Sequence, residues 1–218
     1  MSRRLQALQA AFRKSFAKID LRAIAERVRQ LPDEAERIGD AGWTLPMWAT
    51  PAEVRHILEE ARKREIDDVF LEYYEAYDCA NYVQLKRHLD RPSLARWSAL
   101  IEQCFTAYEA ESCLVVVPAM ITVVEGSIAH VGGPDAWKKP DPKQAVEKLL
   151  AQSSSDSIEK AIWSSIHRFV LHLFDSKSFS GTRPTRINRH WILHGRDDPS
   201  WSRADCLRLF QAADTIGS

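Results

Sequence analysis

The chain has 218 residues, with 30 Lys and Arg balanced by 30 Asp and Glu, so its formal net charge is zero. A neutral chain cannot steer nucleic acid with its overall field, and any such binding must come from a local patch. With 45% hydrophobic and 28% charged residues, the composition is that of a globular protein and excludes a disordered or fibrous one.

In chain order, Leu5, Leu8, Phe12 and Phe16 fall at helical spacing, as do Leu21, Ile24, Val28 and Leu31. Gly42-Trp43-Thr44-Leu45-Pro46 breaks the pattern. Thr50-Pro51-Ala52-Glu53 then supplies a cap residue, a proline at the first helical position and a capping-box acid. Two further helices follow over Ile66 to Tyr77 and Asn81 to Leu89, and Asp90-Arg91-Pro92 closes the block. Tyr73, Tyr74, Tyr77 and Tyr82 read as core or interface packing, with base stacking as the alternative.

From Ser93 the character changes. Leu94, Trp97, Leu100, Ile101 and Phe105 mark an amphipathic helix to Glu109. Ser112 to Val131 is apolar nearly all round and is expected to be a central helix of the bundle. Its longest apolar run, Leu114 to Val124, is too short to span a bilayer. A loop to about Asp156 holds one short helix near Lys143 to Ala151. Ser155-Asp156-Ser157 starts a helix with Ile158, Ile162, Ile166, Phe169, Val170 and Leu173 on one face. Its His167 and His172 read as packing or surface residues. Ser202-Arg203-Ala204-Asp205 resembles a capping box and opens a last helix with Leu207, Phe210, Ala213 and Ile216. The expected fold is all-α: a helical N-terminal region over 1–91 and a helical bundle over 92–218.

The four cysteines form no Cys-x-x-Cys pair and read as reduced packing residues. No secretory signal follows Met1-Ser2-Arg3-Arg4-Leu5, so a cytoplasmic protein with no membrane segment is expected.

Most of the chemistry sits in Asn188-Arg189-His190-Trp191-Ile192-Leu193-His194-Gly195. From Gly181 to Arg196 the chain carries Arg183, Arg186, Arg189 and Arg196 and no acid. Arg186, His190 and His194 stand four apart, which predicts one stripe on a helix face, and Gly195 is a left-handed helix stop. Arginine presents a fork of donors that fits phosphate oxygens, and an imidazole moves protons near neutral pH. Arg183, Arg186 and Arg196 are candidate phosphate or RNA contacts. A basic helix end satisfied by its own dipole is the structural alternative. His190 and His194 also have the spacing of a zinc pair, but Trp191 stands where a zincin has its glutamate, and no third ligand is near. Neither a metal nor a cofactor is expected.

The string from Asn188 to Gly195 resembles the signature of HEPN domains: arginine, a polar follower, a short spacer, then histidine. Arg189 matches the arginine, His190 the follower and His194 the histidine. The stretch from Ala110 to Gly126 is similar to the family's central helix, which often ends in an acid-glycine pair, here Glu125-Gly126. The likeness covers about Pro92 to Ile216 and leaves the earlier region unexplained. It implies an all-α bundle that dimerises with two motifs facing one cleft. It further implies a metal-independent endoribonuclease of toxin–antitoxin, abortive-infection or RNA-processing systems. Arg189 and His194 would be catalytic, with Asn188, His190 and Glu125 in support, RNA as substrate, and an antitoxin or regulatory protein as a further partner. A silent nucleotide-, RNA- or protein-binding module of the same family, or a purely structural helical protein, are the competing expectations. Positions five apart on an ideal helix differ by about 140° in direction. Arg189 and His194 therefore converge only if the helix ends there, the side chains curl, or a second subunit completes the site.

Overall fold

The computed structural model describes residues 21–133, 141–153 and 158–218. The expected helix through Leu5 to Phe16 and the Ser155–Ser157 cap lie outside the described residues, as do the side chains of Leu21, Ile24 and Val28. The described residues form helices and no strand. The helices are α1 (Leu21–Asp40), α2 (Pro51–Ala61), α3 (Ile66–Leu89), α4 (Ser98–Glu109) and α5 (Cys113–Val131). They continue as α6 (Pro142–Gln152), α7 (Ile158–Leu173), α8 (Arg189–Leu193) and α9 (Arg203–Gly217). A 3-10 turn over Pro92–Trp97 precedes α4, so the amphipathic run from Leu94 begins in a tighter helix than expected.

Both expected capping boxes form. Thr50 caps α2 with Glu53 returning to its backbone N–H at 2.7 Å, and Ser202 caps α9 with Asp205 returning at 2.8 Å. Each satisfies donors that a helix start leaves without partners. The two helices expected around residue 80 are halves of α3, broken where Tyr77, Asp78 and Cys79 take φ of 52°, 55° and 59°. The Asn81 amide donates to the Tyr73 carbonyl at 2.9 Å, satisfying an acceptor that the broken ladder abandons.

A single hydrophobic cluster runs from Leu31 to Ile216 and includes residues on both sides of residue 91. α1 lies along α7, and α3 lies against α9. Cys104, Cys113 and Cys206 are buried free thiols within this core, and Cys79 is a half-buried one.

α9 is central to the fold beside α5. Every residue of α9 from Cys206 to Gly217 is buried, although Arg208, Gln211, Asp214 and Thr215 are polar. Burial of such groups requires partners. Arg208 meets Asp67 and Asp205, Thr215 donates to the Leu45 carbonyl at 3.3 Å, and Gln211 donates to Thr215 at 2.7 Å. Asp214 pairs with Arg91, and His88 stands 3.6 Å away. α5 packs on α4, α6 and α9 but leaves Leu114 and Val115 exposed. At 19 residues it extends well past the Leu114–Val124 run, and by length and composition alone it is a helix that could cross a membrane.

Candidate functional site

The motif folds as a very short helix closed at both ends. α8 spans five residues. Asn188 is its N-cap: Oδ1 accepts the Trp191 N–H at 3.1 Å. Its Nδ2 donates to the carbonyls of His172 and Asp175, at 3.1 and 2.9 Å, just where α7 ends. Asn188 is thus buried with both ends of its amide engaged, and it supports the turn rather than facing a ligand. Trp191 and Ile192 are buried and anchor α8, and the Trp191 indole donates to the Lys177 carbonyl at 3.3 Å. At the other end Gly195 takes φ +63°, its N–H donates to the Ile192 carbonyl, and the Arg196 N–H donates to the Trp191 carbonyl at 2.8 Å. These two bonds make a Schellman stop, which needs the left-handed conformation that glycine adopts freely.

Two expectations are corrected by this geometry. Arg186 precedes the Asn188 cap and is not on the helix, so the stripe of Arg186, His190 and His194 does not exist. Arg186 instead lies near Gly42, and its charge helps hold the Asp67 carboxyl below the ordinary range. Burial pushes Asp67 up, but the Trp43 indole bond, Arg208 and then Arg186 outweigh it. Likewise, Glu125 is not at a helix end. α5 continues to Val131, and Gly126 sits inside it. A Cβ on Gly126 would stand 2.2 Å from Trp97 Cζ2, so the glycine admits the indole ring against the helix.

Glu125 reaches Arg189 with both oxygens. Arg189 Nε donates to Oε2 at 3.1 Å and Nη2 to Oε1 at 3.2 Å. This parallel pair fixes the guanidinium plane. It uses two of the five guanidinium N–H groups, leaving three, and the Arg189 side chain remains 33% exposed. His190 and His194 face one another with ring centroids 4.8 Å apart. Phe179, to which the sequence reading gave no role, stacks on His190 at 4.5 Å with planes 6° apart and meets His194 edge-on at 5.8 Å. The Arg196 guanidinium lies 5.4 Å from the Phe179 ring centre.

The structure therefore gathers Glu125 with Arg189, and Phe179 with His190, His194 and Arg196. Arg189 and His194 have different neighbours, as the angular argument predicts for a single subunit. Arg183 stands apart. Its Nε donates to Asp197 at 2.5 Å and its Nη2 to the Asp198 carbonyl at 2.9 Å, so it ties the incoming loop to the outgoing one. The acid it meets begins directly after the acid-free stretch. His172 bonds Asp40 at 2.8 Å, consistent with a packing and surface role. Among the described residues no group of three or more His, Cys, Asp and Glu side chains gathers as metal ligands. The chain matches no protein-family model, no curated protein and no solved structure.

Proposed function

We propose that the protein is a metal-independent endoribonuclease of HEPN type that cleaves RNA by transesterification as a homodimer. The observation that carries this reading is an arginine held flat by a bidentate carboxylate, with two imidazoles in contact at the same capped turn. The three N–H groups of Arg189 that Glu125 leaves open suit the equatorial oxygens of a phosphodiester. In the reaction the ribose 2′-oxygen attacks the adjacent phosphorus and the bond to the 5′-oxygen breaks. An imidazole accepts the 2′-hydroxyl proton, and the leaving oxygen takes up a proton. The products are a 2′,3′-cyclic phosphate and a 5′-hydroxyl. His194 is the proton carrier in this scheme and His190 its companion. A two-fold partner that brings its own motif to the same cleft would unite Arg189 of one subunit with His194 of the other. The setting would be the cytoplasm of a prokaryotic defence or toxin–antitoxin system, with an antitoxin or regulatory protein as the controlling partner.

The bidentate hold also supports a second reading, because Glu125 competes with phosphate for Arg189. A module silent in catalysis would bind RNA, nucleotide or protein through the same face. Incubation with single-stranded RNA in EDTA, beside Arg189→Ala and His194→Ala, separates the two. Cyclic-phosphate ends from the wild type and intact RNA with both variants are expected. Equal cleavage by all three, or by none, removes the nuclease assignment from these residues. Light scattering checks the dimer.

A further inference from the structure

We infer that Phe179 is the base-stacking residue of this site and selects an unpaired nucleotide. The inference rests on the RNA-directed reading above and adds to it the residue that holds the base. Phe179 is 40% exposed, which for a lone phenylalanine would mean little. Its surroundings give the exposure meaning. The ring lies parallel to His190 at 4.5 Å, and it meets Trp191 edge-on at 5.9 Å and His194 edge-on at 5.8 Å. One exposed ring thus touches both histidines of the motif and its aromatic anchor. A leucine could fill that space; a flat π-surface beside a guanidinium is what a nucleobase followed by a phosphate would use. Arg196, itself exposed, lies over the ring 5.4 Å from its centre and supplies that guanidinium, and a base stacking on Phe179 displaces it from the ring toward the phosphate.

The platform is held in place before any ligand arrives. The Trp191 indole holds the Lys177 carbonyl at 3.3 Å, and the Asn188 amide holds the Asp175 carbonyl at 2.9 Å. The Ser178 and Ser180 hydroxyls bond at 2.8 Å, and the Gly181 N–H donates to the Ser178 carbonyl at 3.1 Å, closing a turn around Phe179. A loop fixed in this way loses little further freedom on binding. Once Arg196 moves aside, Phe179 offers a stacking face and no hydrogen-bonding group. It therefore accepts any base that is free to leave its neighbours and rejects one locked in a duplex.

The test uses the full chain as wild type, Phe179→Ala, Phe179→Leu and Phe179→Trp. Binding is read by anisotropy on a labelled 2′-O-methyl oligoadenylate, which lacks the attacking hydroxyl, and on the same strand annealed to its complement. Cleavage of the matching RNA is followed in parallel. Phe179→Ala and Phe179→Leu should weaken single-strand binding on the order of ten- to hundredfold, the worth of one stacked base. They should raise KM by a similar factor with kcat little changed. Phe179→Trp should restore both, and the annealed strand should bind weakly to all four proteins. Leucine keeps the packing volume, so a binding loss shared by leucine and alanine is not a folding defect. The proposal is overturned if Phe179→Leu binds like wild type, if Phe179→Trp fails like alanine, or if only kcat falls. A wild type that binds through Phe179 yet cuts nothing ends the nuclease reading and leaves the platform standing. A wild type that cuts while Phe179→Ala binds normally does the reverse.

Discussion

Arg208 and Arg189 do the same chemistry in two places and come out as different kinds of residue. Both are guanidiniums facing carboxylates. Arg208 is enclosed: its side chain is 5% exposed, it donates to Asp205 at 2.5 Å and to Asp67, and it lies over the Trp43 ring at 5.2 Å. Three separate stretches of chain meet on it. Arg189 is held along one edge by Glu125 and keeps a third of its side chain in solvent. The enclosed arginine joins α9 to α3 and the 42–46 break; the open one retains donors for something else. Whether an arginine belongs to the architecture or to a site is decided by which donors its partners leave over. The number of arginines in its segment does not decide it.

The sharpest way to break that contrast is to remove each arginine and read two quantities. Arg189→Ala should cost roughly 10²–10³-fold in RNA cleavage, the scale of losing a transition-state donor. Its effect on stability should be below about 1 kcal/mol, as for other partly exposed pairs. Arg208→Met should behave oppositely. It strands charge-assisted bonds in the interior and should cost about 1.5–3 kcal/mol, a fall in Tm of roughly 3–12 °C for a chain of this size. Cleavage per folded molecule should be unchanged. If thermal denaturation shows equal losses for the two variants, the distinction between them fails.

How much of this was legible beforehand depended on how local the cause was. The capping boxes at Thr50 and Ser202 are built within four residues of sequence, and both were readable. So were the two halves of α3 and the Gly195 stop. The spacing of Arg186, His190 and His194 extends α8 back to Arg186, whereas the helix starts at Arg189. Asn188 carried the missing signal: a cap residue in front of Arg189 means that the helix begins there. The role of α9 was beyond reach for a different reason. Its polar residues look like a solvent face until Asp67, Leu45 and Arg91, more than a hundred positions away, meet Arg208, Thr215 and Asp214. Glu125 stands in the sequence only as the acid of an acid-glycine pair, and it is the packing of α8 on α5 that brings Arg189 to it.

A smaller effect separates Glu125 from its neighbour. Gly126→Ala places a Cβ 2.2 Å from the Trp97 ring. The indole must shift, and overpacking of this kind costs about 1–3 kcal/mol. The expected outcome in a urea titration is a lower midpoint with an unchanged slope. An unchanged midpoint would show that Trp97 gives way freely and that the glycine serves some other purpose.

The smallest expected effect lies where α1 meets α7. Asp40 accepts from Arg168 Nε at 2.8 Å and lies 2.8 Å from His172 Nε2. Burial raises the pKa of the Asp40 carboxyl, but the bonds and charges of Arg168 and His172 outweigh it, so the net shift is below the usual value of 3.8. A depressed folded-state pKa stabilises above the unfolded value, and that contribution is lost as pH falls through the folded one. All the groups are about two-fifths exposed, so solvent screening keeps the effect small. Asp40→Asn should lower Tm by about 1–2 °C at pH 7. The gap from wild type should close below pH 3.8, as the wild-type carboxyl also loses its charge. A gap of equal size at acid and neutral pH would mean that shape rather than charge holds this contact. The link reaches the site through covalent structure, because His172, whose ring meets Asp40, also gives its carbonyl to Asn188. If Asp40→Asn also slows RNA cleavage at pH 7, where the charge is lost, the N-terminal helix helps to position the α8 cap. If cleavage is unaffected, the Asn188 bonds hold that cap unaided.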